Sequence, residues 1–137
     1  MLRRDYIQRM IEEYARVLAH ALGLQAEGRG KEALKDLQAA YGTFFNEEPE
    51  LIKMLLPSQL LKRLIEHDGL TTSQVEIFAQ GLRAEADLLM DSDPREAKDR
   101  YVKALALYEY VEFTDSTSYS IPRKHAIEEI KYCISAL

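Results

Sequence analysis

The sequence predicts an all-α fold of about seven helices, paired into antiparallel hairpins. Three observations predict it. Apolar residues recur at helical spacing along almost the whole chain, and glycine and proline break the pattern at intervals. One small-large-small spacing also occurs twice, 64 residues apart. No segment alternates apolar and polar residues in the way a half-buried strand requires, so no sheet is expected.

The first helix is expected from Tyr6, with Ile7, Met10, Ile11, Tyr14, Val17, Leu18, Ala21 and Leu22 at i, i+3, i+4, i+7 spacing. Asp5 suits its first turn or N-cap, and Glu27-Gly28-Arg29-Gly30 should end it because glycine admits the turn. A second helix is expected over Lys31–Phe45, with Ala33, Leu34, Leu37, Ala40, Tyr41 and Phe44 inward. Pro49 suits the first turn of a short third helix, Glu50–Leu56. Pro57-Ser58 then interrupts, and a fourth helix is expected from Ser58 to about Glu66, closed by His67-Asp68-Gly69. Thr71 with Gln74 has capping-box spacing, and Ser73 with Glu76 is the alternative. The fifth helix follows with Val75, Phe78, Ala79, Leu82, Ala86 and Leu89. Asp93-Pro94-Arg95-Glu96 restarts the chain as a sixth helix: an N-cap acid, proline at N1 and glutamate at N3. Thr114–Ser120 is the least periodic stretch and is expected to be a loop. Pro122 opens the last helix, which runs to Leu137.

A chain of 137 residues fits one domain, and 47% hydrophobic with 30% charged residues is a globular balance. The formal charge of −5 argues against nucleic acid, whose phosphates need a basic surface. Arg3, Arg4 and Arg9 form a local basic cluster that a solvated helix end explains equally well. Charges interrupt every long apolar run, so neither a membrane span nor a signal core is expected, and a cytoplasmic location is the default. The single cysteine, Cys133, cannot form an internal disulfide and is expected to be a buried, inert thiol.

The repeated spacing is Ala33, Leu37 and Ala40 against Ala97, Tyr101 and Ala104. Small residues let two helices approach closely, while the large one fills the gap between pairs. With Ala21, Leu24 and Gly28 upstream, this pattern resembles the tetratricopeptide consensus, over about one unit from Tyr14 to Glu47. The second unit, Phe78–Val111, is degenerate: its turn is one residue short and Asp93 replaces the turn glycine. The middle hairpin, Glu50–Glu66, does not fit the consensus. The resemblance implies a tetratricopeptide-like (TPR-like) stack forming a short right-handed solenoid, against the alternative of an unrelated helical bundle. The chain also resembles an uncharacterised bacterial family of short tetratricopeptide-like proteins. It does so through Arg4-Asp5-Tyr6-Ile7-Gln8-Arg9-Met10-Ile11-Glu12, Leu22-Gly23-Leu24-Gln25-Ala26-Glu27-Gly28 and Glu32-Ala33-Leu34. That resemblance implies the fold and no established activity.

The sequence offers little for catalysis. Gly28-Arg29-Gly30-Lys31 lacks the strand before it and the Ser or Thr after the lysine that a phosphate loop needs. His125 and Glu128 share a helix face and could furnish two metal ligands, with Glu66 as a distant third; exposed helix charges use the same spacing. His20 is expected to be a partly buried packing residue and His67 a helix C-terminal cation. Asp87, Asp91 and Asp93 lack the glycine and closing glutamate of a calcium loop, and Arg83 and Arg95 are expected to relieve their repulsion. No cofactor, metal or catalytic residue is assigned. The tyrosines are expected mainly in the core.

The expected use is as a protein-interaction or scaffold module for an unknown protein or peptide. A small helical-bundle enzyme or metal-binding protein is the alternative. In a hairpin stack, the first helices of each pair form a concave face. That face maps to Ala15, Leu18, Leu22, Gln25 and Ala26 in the first unit and to Gln80, Arg83, Asp87, Met90 and Asp91 in the second. Equally, Leu18 and Leu22 could be covered by the chain's own third or last helix. The first helix is apolar on more than one side, which suggests a homodimer through it, unless the last helix returns to cover it.

Overall fold

The computed structural model describes residues 2–115 and 120–137, and every regular element among them is helical. The helices are α1 (Leu2–Ala26), α2 (Gly30–Phe45), α3 (Pro49–Met54), α4 (Pro57–Lys62, running into a π turn over Arg63–His67), α5 (Thr72–Leu89), α6 (Pro94–Thr114) and α7 (Ile121–Ala136). Thr114 closes α6 and Ser120 precedes α7; the middle of the loop expected there, 116–119, lies outside the described residues. The chain groups into two compact units, Met1–Met54 and Leu55–Leu137.

The first unit is the α1/α2 hairpin with α3 following. α1 begins at Leu2, a turn before Tyr6, because Arg3 and Arg4 are good helix formers and Asp5 places an acid in the first turn. The turn after α1 needs a left-handed residue, and Gly28 supplies it at φ 78°. The amide of Gly28 then donates to the Gln25 carbonyl (3.0 Å) and that of Arg29 to Leu24 (2.8 Å), satisfying the last turn. α1 buries Met10, Tyr14, Leu18, Ala21 and Leu24, while α2 buries Ala33, Leu37, Ala40, Tyr41 and Phe45. The Tyr14 ring meets Phe44 and Phe45 edge-on, with centroids 5.4 and 5.1 Å apart. Tyr14 is mid-α1 and Phe45 ends α2, so the two helices run antiparallel. Asn46 ends α2 in the left-handed region at φ 56°, its amide donating to the Gly42 carbonyl.

The second unit is built around the α5/α6 hairpin. Of the two capping boxes open to α5, the chain uses Thr71 and Gln74. The Thr71 hydroxyl accepts from the Gln74 amide (3.2 Å), and the Gln74 side chain accepts from the Thr71 amide (3.0 Å). Asp93 caps α6 by accepting from the Glu96 amide at 3.2 Å, with Pro94 at N1. Ala97, Tyr101 and Ala104 are fully buried, as are Phe78, Leu82 and Ala86 of the facing helix. α7 starts after Ser120, whose hydroxyl caps the Arg123 amide (3.2 Å), and buries Ile127 and Ile130. Its direction follows from its ion pairs. Arg123 reaches Glu76 (3.3 Å) early in α5, and Glu129 reaches Arg83 (2.6 Å) later in α5. The sequence separations are 47 and 46 residues, so α7 runs parallel to α5. Arg123 also holds Glu112 (2.6 Å) near the end of α6, to which α7 is antiparallel.

Candidate functional site

The residues assigned to a concave face have different fates within their own units. In the first unit Leu18 is in the core, while Leu22 is 55% exposed and Ala15, Gln25 and Ala26 are open to solvent. In the second, Gln80 and Asp91 are exposed, and Met90 is half-buried. Arg83 and Asp87 are brought together (3.5 Å), and both are engaged further. Arg83 donates to Glu129 of α7, and Asp87 accepts the Tyr101 hydroxyl. These two residues thus fasten α5 to its neighbours.

The first unit carries an open furrow on another side of the hairpin. It runs along α1 from Tyr6 to His20 and along α2 from Asp36 to Phe44, in two stretches of ≈ 320 and ≈ 430 Å³ that share Thr43 and Phe44. Its floor is apolar: Met10 and Ala40 are buried, and Val17 and Phe44 are half-exposed. Its α1 wall carries Tyr6 (70% exposed), Arg9, Glu13, Arg16 and His20. Those positions fall at intervals of three and four residues, which is one helix stripe. His20, expected to pack partly buried, is exposed on this wall, because the neighbouring Ala21 and not His20 faces inward. Among the described residues, Arg9, Glu13 and Arg16 make no ion pair.

Charge in the second unit is spent on internal fastening. Burial works against the Arg83 charge, but the hydrogen bond to Glu129 and the charge of Asp87 outweigh it and raise its pKa. The same bond holds the Glu129 carboxyl below its ordinary range. Arg123 is only 4% exposed; desolvation opposes its charge, and Glu112 and Glu76 more than compensate. Tyr101 and Tyr108 are pushed well above the usual phenol range, first by burial and then by the nearby acids, Asp87 for Tyr101 and Glu76 for Tyr108. Cys133, expected to be buried, is half-exposed on α7.

A charged cluster between α5 and α6 was not expected. Arg100 and Glu85, 1% and 2% exposed, face each other at 3.3 Å. Glu96 (2.8 Å) and Asp99 also contact Arg100, and Lys103, itself buried, donates to Asp99 at 2.8 Å. The signal available was position: Arg100 and Lys103 flank Tyr101 and Ala104, the residues that bring α6 close to α5.

The metal alternative needs convergent ligands. His125 and Glu128 are both exposed on α7, and among the described residues no three His, Cys, Asp or Glu side chains gather closely enough to hold a metal ion. His67 ends the π turn with Nδ1 2.8 Å from Asp68 Oδ1. No helix among the described residues is long and apolar enough to cross a membrane. Comparison with protein-family models, with curated proteins and with solved structures finds no match.

Proposed function

We propose that the chain is a protein-binding module: a tetratricopeptide-like stack of helical hairpins, related to the short bacterial family it resembles, with no catalytic chemistry, cofactor or nucleic-acid partner. The observation that carries the reading is the furrow of the α1/α2 hairpin, with its apolar floor and charged α1 wall. Interaction sites combine an apolar centre with a polar rim in this way. Two further features support the stack. The small-large-small register, Ala33-Leu37-Ala40 and Ala97-Tyr101-Ala104, is buried in both hairpins. In addition, α7 lies parallel to α5, the direction taken by the first helix of a following hairpin. Leu22 and Gln25 in the first unit, and Gln80 and Met90 in the second, keep some exposure and belong to the proposal as further contact residues, each within its own unit.

A photo-crosslinking residue placed at Thr43, in the furrow, tests this in living cells. The expected result is a discrete crosslinked protein that is absent when the same residue replaces Lys31, which is exposed outside the furrow. No product at Thr43, or the same products at both positions, would count against a binding role for this face.

A further inference from the structure

Resting on the reading that the chain binds protein, we propose that the occupant of the α1/α2 furrow is a second copy of the chain, seated with its α1 antiparallel to the first. The order of charges along the α1 wall carries the proposal. Arg9, Glu13 and Arg16 lie on one stripe beside the exposed Tyr6 and make no ion pair among the described residues. In an antiparallel pairing about a twofold axis, residues meet when their numbers share a constant sum, and every contact occurs twice.

A sum of 25 sets Arg9 against Arg16, and a sum of 26 sets Glu13 against itself. Both are repulsive. A sum of 29 pairs Glu13 with Arg16 but sets Arg9 against His20, which offers it no carboxylate, and leaves Tyr6 facing Gly23. A sum of 22, with the axis level with Ile11, gives Tyr6, Arg9, Glu13 and Arg16 each a complementary partner. Arg9 meets Glu13 of the second copy, and Tyr6 presents its ring to Arg16 of the second copy, each twice. At this register the two α1 helices overlap from Leu2 to His20, roughly 28 Å at 1.5 Å per residue. Tyr6 then covers the apolar floor beside Phe44, which the chain leaves half-exposed.

This interface is distinct from one centred on Leu18. That residue is in the core, so Leu18→Glu would unfold the hairpin rather than report on association.

Charge reversal and swap provide the test, read by sedimentation velocity across roughly 1–200 μM at low salt, where exposed ion pairs are least screened. The wild-type chain is expected at twice 15.8 kDa at the upper end. Glu13→Arg and Arg9→Glu are each expected to weaken the dimer at least tenfold. The double swap R9E/E13R is expected to restore it to within threefold, because both contacts then reform with the signs exchanged. Circular dichroism confirms that each variant keeps its helices, the substituted positions all lying on the exposed rim.

A chain that stays at one mass throughout overturns the proposal. So does a dimer indifferent to Glu13→Arg, or a swap that fails to rescue. Rescue by E13R/R16E instead would overturn this register in favour of the sum of 29. The Thr43 crosslink separates this proposal from the reading beneath it. A product of two chains supports both, a product of another mass overturns the second copy and leaves the binding role, and no product removes both.

Discussion

Replacing Arg100 with methionine should be among the most destabilising single changes in the second unit. The Arg100 side chain is 1% exposed and faces Glu85, 2% exposed, at 3.3 Å. Methionine keeps the aliphatic stem but removes the guanidinium, so the Glu85 carboxylate stays out of water and loses the cation opposite. Removing one partner of a buried pair costs about 3–5 kcal/mol. The other acids on Arg100, Glu96 and Asp99, are about 40% exposed, so water offsets most of their loss and each adds less than about 1 kcal/mol. Against a total of about 5–15 kcal/mol for a domain, a loss of this size is large. Glu85→Leu alone should cost about 1–3 kcal/mol, because Glu96 and Asp99 still answer the stranded guanidinium. The double variant R100M/E85L removes both buried charges, and apolar residues of similar volume often replace such a pair at little or no cost. The two changes should therefore couple by about 3 kcal/mol or more in a double-mutant cycle. Urea denaturation at pH 7 measures the cycle, with hydrogen exchange of α6 amides to locate the loss. An R100M variant within about 1 kcal/mol of the parent, or a strictly additive double variant, would refute the assignment of Arg100 and Glu85 as a mutually dependent pair.

Three further outcomes are expected. Thr71→Ala should cost about 1 kcal/mol by removing the hydroxyl that caps the Gln74 amide, and Asp93→Ala a similar amount at α6; urea midpoints read both. Arg123→Met should cost about 2 kcal/mol or more and raise exchange in α7, since Arg123 is a buried link from α7 to Glu76 and Glu112. Stability should hold below pH 10 and fall above it. Tyr101 and Tyr108 keep their protons in the fold at pH values where the unfolded chain, with its ordinary value of 10.0, loses them. The slope should approach about 1.4 kcal/mol per pH unit for each tyrosine, and Tyr101→Phe should flatten it; an unchanged slope would show that Tyr101 is not held neutral by the fold.

The helix plan was legible because its signals are local. Asp93-Pro94 and Thr71-Gln74 fix helix starts through side chains that bond their own backbone a few residues on, and no distant contact is needed to read them. Asn46 was equally readable as a left-handed cap after Phe45, but the pattern reading stopped at the last apolar residue. Exposure of the site residues was less legible. Leu18 and Leu22 are both apolar and one turn apart on α1, yet one is buried and the other open, because a hairpin covers only one sector of a helix. Arg83 and Asp87 read as a charged surface pair. Their engagement by Glu129 of α7 and Tyr101 of α6 is set by packing between helices, which periodicity does not encode. Arg100 and Glu85 were missed because charged residues default to the surface, and it is the geometry of their charged cluster that allows them inside.

The π turn at Arg63–His67 gives the second unit a place to absorb changes in chain length. There the amide of Asp68 bonds the carbonyl of Arg63, five residues back, so the turn accommodates one residue more than an α turn. Each residue advances an α helix by about 100°, and a deletion within α5 would swing Phe78, Leu82 and Glu85 away from α6 by that angle. A deletion within Arg63–His67 need not do so. The π turn can tighten to an α turn while Leu60 and Leu64, both fully buried, keep their places. The π turn closes α4 and is followed by the irregular residues 68–71, so a one-residue difference there is separated from α5 by that connection.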